Sequence, residues 1–145
     1  MKIKEYISQN KEKFLNELFE LLKIESVSAD PKFKNEVDKA SDFIVTKLKL
    51  LGLDNVEKIQ TKGHPIVYGE KILNPNYKTI LVYGHYDVQP ADPYELWDTP
   101  PFQPQIKNNK IYARGSSDDK GQMYMHLKAY ESLKETVGID FNIKF

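Results

Sequence analysis

Three side chains in this sequence have the types and spacing to handle a metal ion or a proton. His85 and Asp87 stand two apart in "GHYDVQP", and Asp118 opens a pair of adjacent acids in "ARGSSDDKG". An imidazole that binds metal through one ring nitrogen usually donates its other N–H to a carboxylate, which fixes the tautomer and raises the basicity of the coordinating atom. Residues two apart on an extended chain point to the same side, so Asp87 can stand behind His85 while Tyr86 faces away. Taken alone, His-X-Asp also reads as a hydrogen-bonded structural histidine at a strand end. The acids Asp118 and Asp119 follow Ser116 and Ser117 just before a helical pattern, where the helix dipole favours carboxylates. Capping of that helix by one of these four residues is therefore the commoner outcome for such a pattern. A phosphate loop is a poorer fit, because Gly115 to Gly121 is one residue too long for that motif, no Lys-Ser/Thr follows, and two acids repel phosphate. The acids invite a cation. With no cysteine in the chain, any metal must be held by His, Asp and Glu.

The rest of the composition narrows the field. At 145 residues the chain is long enough for one domain with its own core. Its 21 basic residues balance 21 acidic ones with no basic stripe, so neither nucleic acid nor a membrane surface is an expected partner. A small-molecule partner remains open. The lack of cysteine fits a reducing compartment, and "MKIKEYISQNKEKFLNELF" has no apolar core of signal-peptide length, so a cytoplasmic location is the default expectation.

These residues must be positioned by elements that the apolar spacing outlines. Ile3, Ile7, Phe14, Leu18, Leu21 and Leu22 predict an amphipathic helix that "ESVSADP" stops. Val37, Ala40, Ile44, Leu48 and Leu51 predict a second, closed by Gly52 in a left-handed cap. "NVEKIQ" and "PIVYGEKI" read as strands. The unbroken run Ile80 to Tyr83 reads as a central strand covered on both faces, with His85 at its carboxyl end, where ligands gather in open α/β sheets. From Pro90 to Pro104 five prolines predict a long loop carrying Trp97 and Phe102, and Trp97 can either flank a site entrance or pack on the core. "QIKNNKIYARG" predicts a hairpin turning at Asn108 and Asn109. Met123, Leu127, Tyr130 and Leu133 then predict a third helix closed by Gly138, with Glu131 and Glu135 on a solvated face. His64 and His126 carry no motif. The chain finishes on Phe141, Ile143 and Phe145, alternating as a strand for which the sequence offers no turn, partner strand or polar tail. The expectation is an amino-terminal piece of a longer protein, with a complete small domain as the alternative.

"GHYDVQP", Trp97 before "PPFQP", and "IYARGSSDDKGQ" together resemble the successive motifs of the dinuclear zinc aminoacylase/carboxypeptidase superfamily, most of all its carnosinase-like cytosolic dipeptidase branch. The resemblance covers essentially the whole chain. It implies an α/β fold, a mixed sheet flanked by helices, with residues 1–145 forming the amino-terminal half of a catalytic domain. The dimerisation domain and carboxyl-terminal catalytic half would be absent, and the parent protein would be a homodimer. By the same resemblance His85 is a ligand of one zinc, Asp118 bridges two, Asp87 supports His85 from behind, and the Asp118-Asp119 peptide is cis. The implied activity is hydrolysis of the amide bond of dipeptides or small peptides by a metal-activated water, with manganese or cobalt also acceptable to a His/carboxylate site. The chain departs from the superfamily's usual Gly-Arg-Gly with Ala113-Arg114-Gly115. It also stops before the Glu-Glu pair whose first member is the superfamily's general base, so the isolated chain is expected to be inactive. Two other readings stand beside this one: a truncated or degenerate non-catalytic fragment with at most weak metal binding, and a different dinuclear metallohydrolase such as a phosphoesterase.

Overall fold

The helical spacing near the start yields two helices rather than one in the computed structural model, which describes all 145 residues. α1 spans Ile3–Gln9 and α2 spans Lys11–Leu22, parted at Asn10, whose side-chain amide donates to the Tyr6 carbonyl at 2.9 Å. Leu21 and Leu22 are fully buried, so the apolar stripe becomes core only at the end of α2. Asp30 accepts from the Lys32 N–H at 3.0 Å and opens a short 3-10 turn at Pro31–Phe33. That turn runs into α3, Lys34–Leu50. Gly52 closes α3 at φ +77°, a backbone that an L side chain rarely adopts.

Two strands follow as the alternation predicts, β1 at Asp54–Ile59 and β2 at Ile66–Lys71, then β3 at Thr79–Leu81. β4 (Gln105–Lys107) and β5 (Lys110–Tyr112) form a separate hairpin. Asn108 and Asn109 turn it at φ 50° and 60°, the paired positive angles of a type I′ turn. α4 runs over Lys120–Thr136, and β6 over Asn142–Lys144 completes the main sheet in the order β1-β2-β6-β3. The β1–β2 and β2–β6 pairings are antiparallel and β6–β3 is parallel, which makes the sheet mixed. No helix is long and apolar enough to cross a membrane.

Three further expectations change. The final strand is not without partners: β6 lies between β2 and β3, and its buried Asn142 accepts from the Leu73 and Asn74 N–H groups while donating to the Asn74 and Tyr77 carbonyls. One amide thus organises the whole β2–β3 connection. The run Ile80 to Tyr83 is not a central strand covered on both faces. β3 is the edge of the sheet, with Leu81 74% and Tyr83 86% exposed, because this chain pairs it only with β6. Glu131 is not solvated either. It is 8% exposed, between Lys13 at 3.0 Å and Lys128 at 2.6 Å, and these ion pairs hold its carboxyl below the ordinary range although burial alone would raise it. Glu135 remains half exposed.

The core joins the end of α2 (Leu21) to Ile44 and Leu48 of α3, Met123 and Leu127 of α4, and Ile143 of β6. A smaller cluster of Val27, Val88, Ala91 and Phe102 sits under the proline-rich loop, with Trp97 packed on it. The Trp97 indole donates to the Ala91 carbonyl at 2.8 Å and the Arg114 guanidinium lies over its ring, so the packing role of Trp97 is the one realised.

Candidate metal centre

The stretch from Val82 to Val88 leaves the edge strand and is fixed on two sides. The Val82 N–H donates to Lys144 of β6 at 2.8 Å. On the other side, residues 26–28 run beside it: the Val88 N–H donates to Ser26 at 2.9 Å, the Ser26 hydroxyl donates to the Tyr86 carbonyl at 2.7 Å, and Val27 and Val88 form a parallel bridge. Tyr86 turns into the main core and its hydroxyl donates to the Pro65 carbonyl. His85 and Asp87 consequently project to the opposite side, as the period of two requires.

There the His85 Nδ1 lies 3.0 Å from Asp87 Oδ1 and 3.1 Å from the Asp87 carbonyl oxygen. Both are acceptors, so Nδ1 carries a proton and Nε2 is the nitrogen on the Asp118 side that a metal could reach. Nε2 lies 3.0 Å from Asp118 Oδ1. Burial pulls the imidazole pKa down, but the Asp87 contacts and the Asp118 carboxylate outweigh it and the net shift is upward. Positive charge is favoured at this position. The Asp118 side chain is 85% exposed and open to a cation from solvent.

The doubled acid divides its work. Asp118 faces out beside His85, whereas Asp119 turns in and accepts the His85 backbone N–H at 3.0 Å. The Asp119 side chain makes no cap hydrogen bond at the start of α4, so capping is not what the second acid does. The Asp118-Asp119 peptide is cis, as the resemblance implied. Lys120 is fully buried and donates to the Leu21 carbonyl at 3.1 Å and the Ile24 carbonyl at 2.7 Å, its pKa pushed down to about 7 by burial. A polar cavity of about 300 Å³ opens beside these groups, lined by His85, Asp87, Arg114, Ser116, Ser117 and Asp118.

The donor set suits a borderline metal: one imidazole nitrogen, held in its tautomer, and one carboxylate, within 3.0 Å of each other. It is half a sphere. No group of three or more His, Asp or Glu side chains converges anywhere in the chain, whereas zinc takes about four ligands. His64 points its Nε2 at the Ser28 carbonyl, 3.0 Å away, and His126 is exposed on α4. Sequence reasoning took Asp119 only as a possible helix cap and a partner in the cis peptide, and singled out neither Lys120 nor Ser28. Asp119 and Lys120 follow Asp118, but nothing in their order says which acid turns inward or where the lysine goes. Ser28 lay in a segment whose only visible property was that it ended a helix.

Fold and site together give a mixed α/β chain that carries a His/carboxylate pair suited to a metal ion. Residues 81–145 match the model of Peptidase family M20/M25/M40. Over 98% of its length the chain is 36% identical to the Cys-Gly metallodipeptidase of Schizosaccharomyces pombe, of which it covers 32%. Among solved structures, human carnosine dipeptidase 1 superimposes with a TM-score of 0.90 at 29% identity, over 99% of this chain and 33% of that one. A Saccharomyces cerevisiae dipeptidase superimposes with a TM-score of 0.89 at 28% identity, over 98% of this chain and 33% of that one. The resemblance read from the motifs is borne out, and so is the mixed α/β fold. The chain spans about a third of the length of these relatives.

Proposed function

We propose that this chain contributes part of the metal centre of a metallopeptidase that hydrolyses the amide bond of dipeptides or other small peptides. The observation that carries the reading is the His85 ring set between two carboxylates, with Nδ1 on Asp87 and Nε2 beside Asp118. His85 and Asp118 would hold the metal and Asp87 would keep the proton on Nδ1. In the fuller reading two zinc ions would be held, with Asp118 a ligand of both, and manganese or cobalt could substitute. A metal so held would lower the pKa of water toward neutrality and polarise a scissile carbonyl. The chain's own residues supply the ligand orientation and the polar wall formed by Arg114, Ser116 and Ser117. The further ligands, the general base and a dimerising region would lie outside residues 1–145, a reading supported by the share of the relatives that the chain spans. A cytoplasmic site of action is part of the same proposal, supported by the absence of cysteine.

The test is hydrolysis of a panel containing Cys-Gly, carnosine and an aryl phosphate by the longest protein encoded with this chain. Dipeptide cleavage that stops with a chelator, returns with zinc and is abolished by His85→Ala is the expected result. Cleavage that survives chelation, or preference for the aryl phosphate, would overturn the proposal. A second reading applies to residues 1–145 on their own: with two converging donors they bind one metal weakly and hydrolyse nothing. Calorimetric zinc titration of the 145-residue chain tests it, and tight uptake of two zinc ions would refute it.

A further inference from the structure

Asp87 can orient His85 only if Asp87 is itself held, and the residue that holds it comes from a segment 59 residues earlier in the chain. The Ser28 hydroxyl lies 2.5 Å from Asp87 Oδ2, while Asp87 Oδ1 takes the His85 Nδ1. Each carboxylate oxygen therefore has its own partner. A carboxylate held at one oxygen only can swing about χ2, so the Ser28 contact selects the rotamer that presents Oδ1 to the ring.

Ser28 is in turn delivered by a backbone that runs directly alongside the histidine segment. The Ser26 and Val27 contacts to Tyr86 and Val88 fix the register two residues before Ser28. Val27 and Val88 are 2% and 3% exposed, so this alignment is anchored in the small core under the proline-rich loop. The sequence "SVS" then alternates in function as it does in direction: Ser26 bonds backbone, Val27 packs, and Ser28 reaches the carboxylate.

We infer that Ser28 is a positioning residue for the metal centre, acting through Asp87 to hold the His85 ring with its proton on Nδ1 and Nε2 toward Asp118. The inference rests on the reading of His85 as a metal ligand. Removing partners that orient a ligating histidine typically costs about 10- to 100-fold in metal affinity. Ser28 acts one contact further away and belongs at the lower end of that range.

The experiment uses the 145-residue chain and four forms: wild type, Ser28→Ala, Ser28→Thr and Ser26→Ala. The His85 tautomer is read from ring ¹⁵N shifts at a pH where the imidazole is neutral, and affinity from titration with zinc alone. Ser28→Ala is expected to shift the ring from the Nδ1–H form toward the Nε2–H form and to weaken zinc about tenfold. Ser28→Thr, which keeps the hydroxyl, is expected to restore both. Ser26→Ala removes the hydroxyl's bond to the Tyr86 carbonyl but keeps the Val88 N–H bond to the Ser26 carbonyl and the Val27–Val88 bridge that align Ser28, so it should lower the unfolding midpoint and leave the tautomer ratio alone. The inference is overturned if Ser28→Ala keeps the wild-type ratio, or if Ser26→Ala shifts it as far. A wild-type chain that takes up no zinc while its tautomer still depends on Ser28 would count against the metal reading and for the role of Ser28.

Discussion

Gly121 is the position where two opposing effects can be weighed most directly. It is the second residue of α4, and replacing glycine by alanine inside a helix ordinarily stabilises by about 1 kcal/mol. Here an alanine Cβ would stand 2.0 Å from the Ser116 carbonyl oxygen and 2.9 Å from its carbon. Those atoms are backbone, not the tip of a flexible side chain. Reaching ordinary contact would require the Ser116 peptide to retreat by roughly 1 Å or more. The Gly121 N–H also donates to the Gly115 carbonyl at 3.1 Å, so the same retreat strains the turn that delivers Asp118. Overpacking of this kind costs about 1–3 kcal/mol, and more where backbone has to move. The steric term wins, and Gly121→Ala is expected to destabilise by about 2 kcal/mol net. For a chain of this size that is a fall of roughly 6–8 °C in melting temperature. Thermal unfolding followed by circular dichroism measures it, with Gly63→Ala as the control, because the nearest contact of a Cβ there is 3.8 Å away. Zinc affinity should fall with Gly121→Ala and not with the control. A variant that melts at or above the wild-type temperature, with zinc binding unchanged, would refute the reasoning.

Acid should weaken the contact between α2 and α4. Burial would raise the Glu17 carboxyl, but hydrogen bonds from Lys128 and the Tyr124 hydroxyl bring it down from 4.5 to about 2. A depressed folded-state pKa contributes stability above the unfolded value that disappears as the pH falls through the folded one. Wild type should therefore lose its advantage over Glu17→Gln between about pH 4.5 and pH 2 in urea titrations, and parallel curves across that window would contradict the assignment. Leu81, exposed on the open edge of β3, should accept lysine with a stability change within about 0.5 kcal/mol. Leu81→Lys should also reduce self-association of the chain in sedimentation runs, since a charged residue blunts an unpaired strand edge. Strong destabilisation would show that Leu81 is buried in solution.

Much of the scaffold was legible because its signals are local. The stripes that contain Leu48 and Leu127, the left-handed Gly52 and the Asn108-Asn109 turn each depend on a few neighbouring residues, and each forms as its chemistry requires. The edge position of β3 was not legible. Four apolar residues in a row record that a strand is suited to being covered, and cannot record whether this chain supplies the cover. Glu131 was misread for a related reason. Lys128, Ser132 and Lys134 stand near it along α4, but Lys13 comes from α2, 118 residues earlier, and only tertiary packing brings that charge to it. The site follows the same division. His85 and Asp87 could be paired from their spacing, whereas the inward turn of Asp119 and the arrival of Ser28 depend on segments 34 and 59 residues away.

Those long-range contacts also explain why the donors are close enough to share an ion. The peptide N–H of His85 is tied to the carboxylate of Asp119, so the segment that carries the imidazole and the loop that carries Asp118 are bonded directly to each other. Gly84 permits that approach: a Cβ there would meet Met123 at 2.7 Å and Asp119 Oδ2 at 2.9 Å. Lys120 holds the loop from beneath by bonding the carbonyls of Leu21 and Ile24, the last of which lies two residues before the Ser26–Ser28 segment that steadies Asp87. Both donors are thus referred to the same piece of backbone, the exit of α2. A displacement of that exit would move the His85 support and the Asp118 loop together, which keeps the 3.0 Å separation of Nε2 and Oδ1 insensitive to small shifts of α2 against the sheet. The doubled acid in "SSDDKG" is therefore not a redundancy in charge, because one carboxylate is spent on joining the two segments so that the other can stand free.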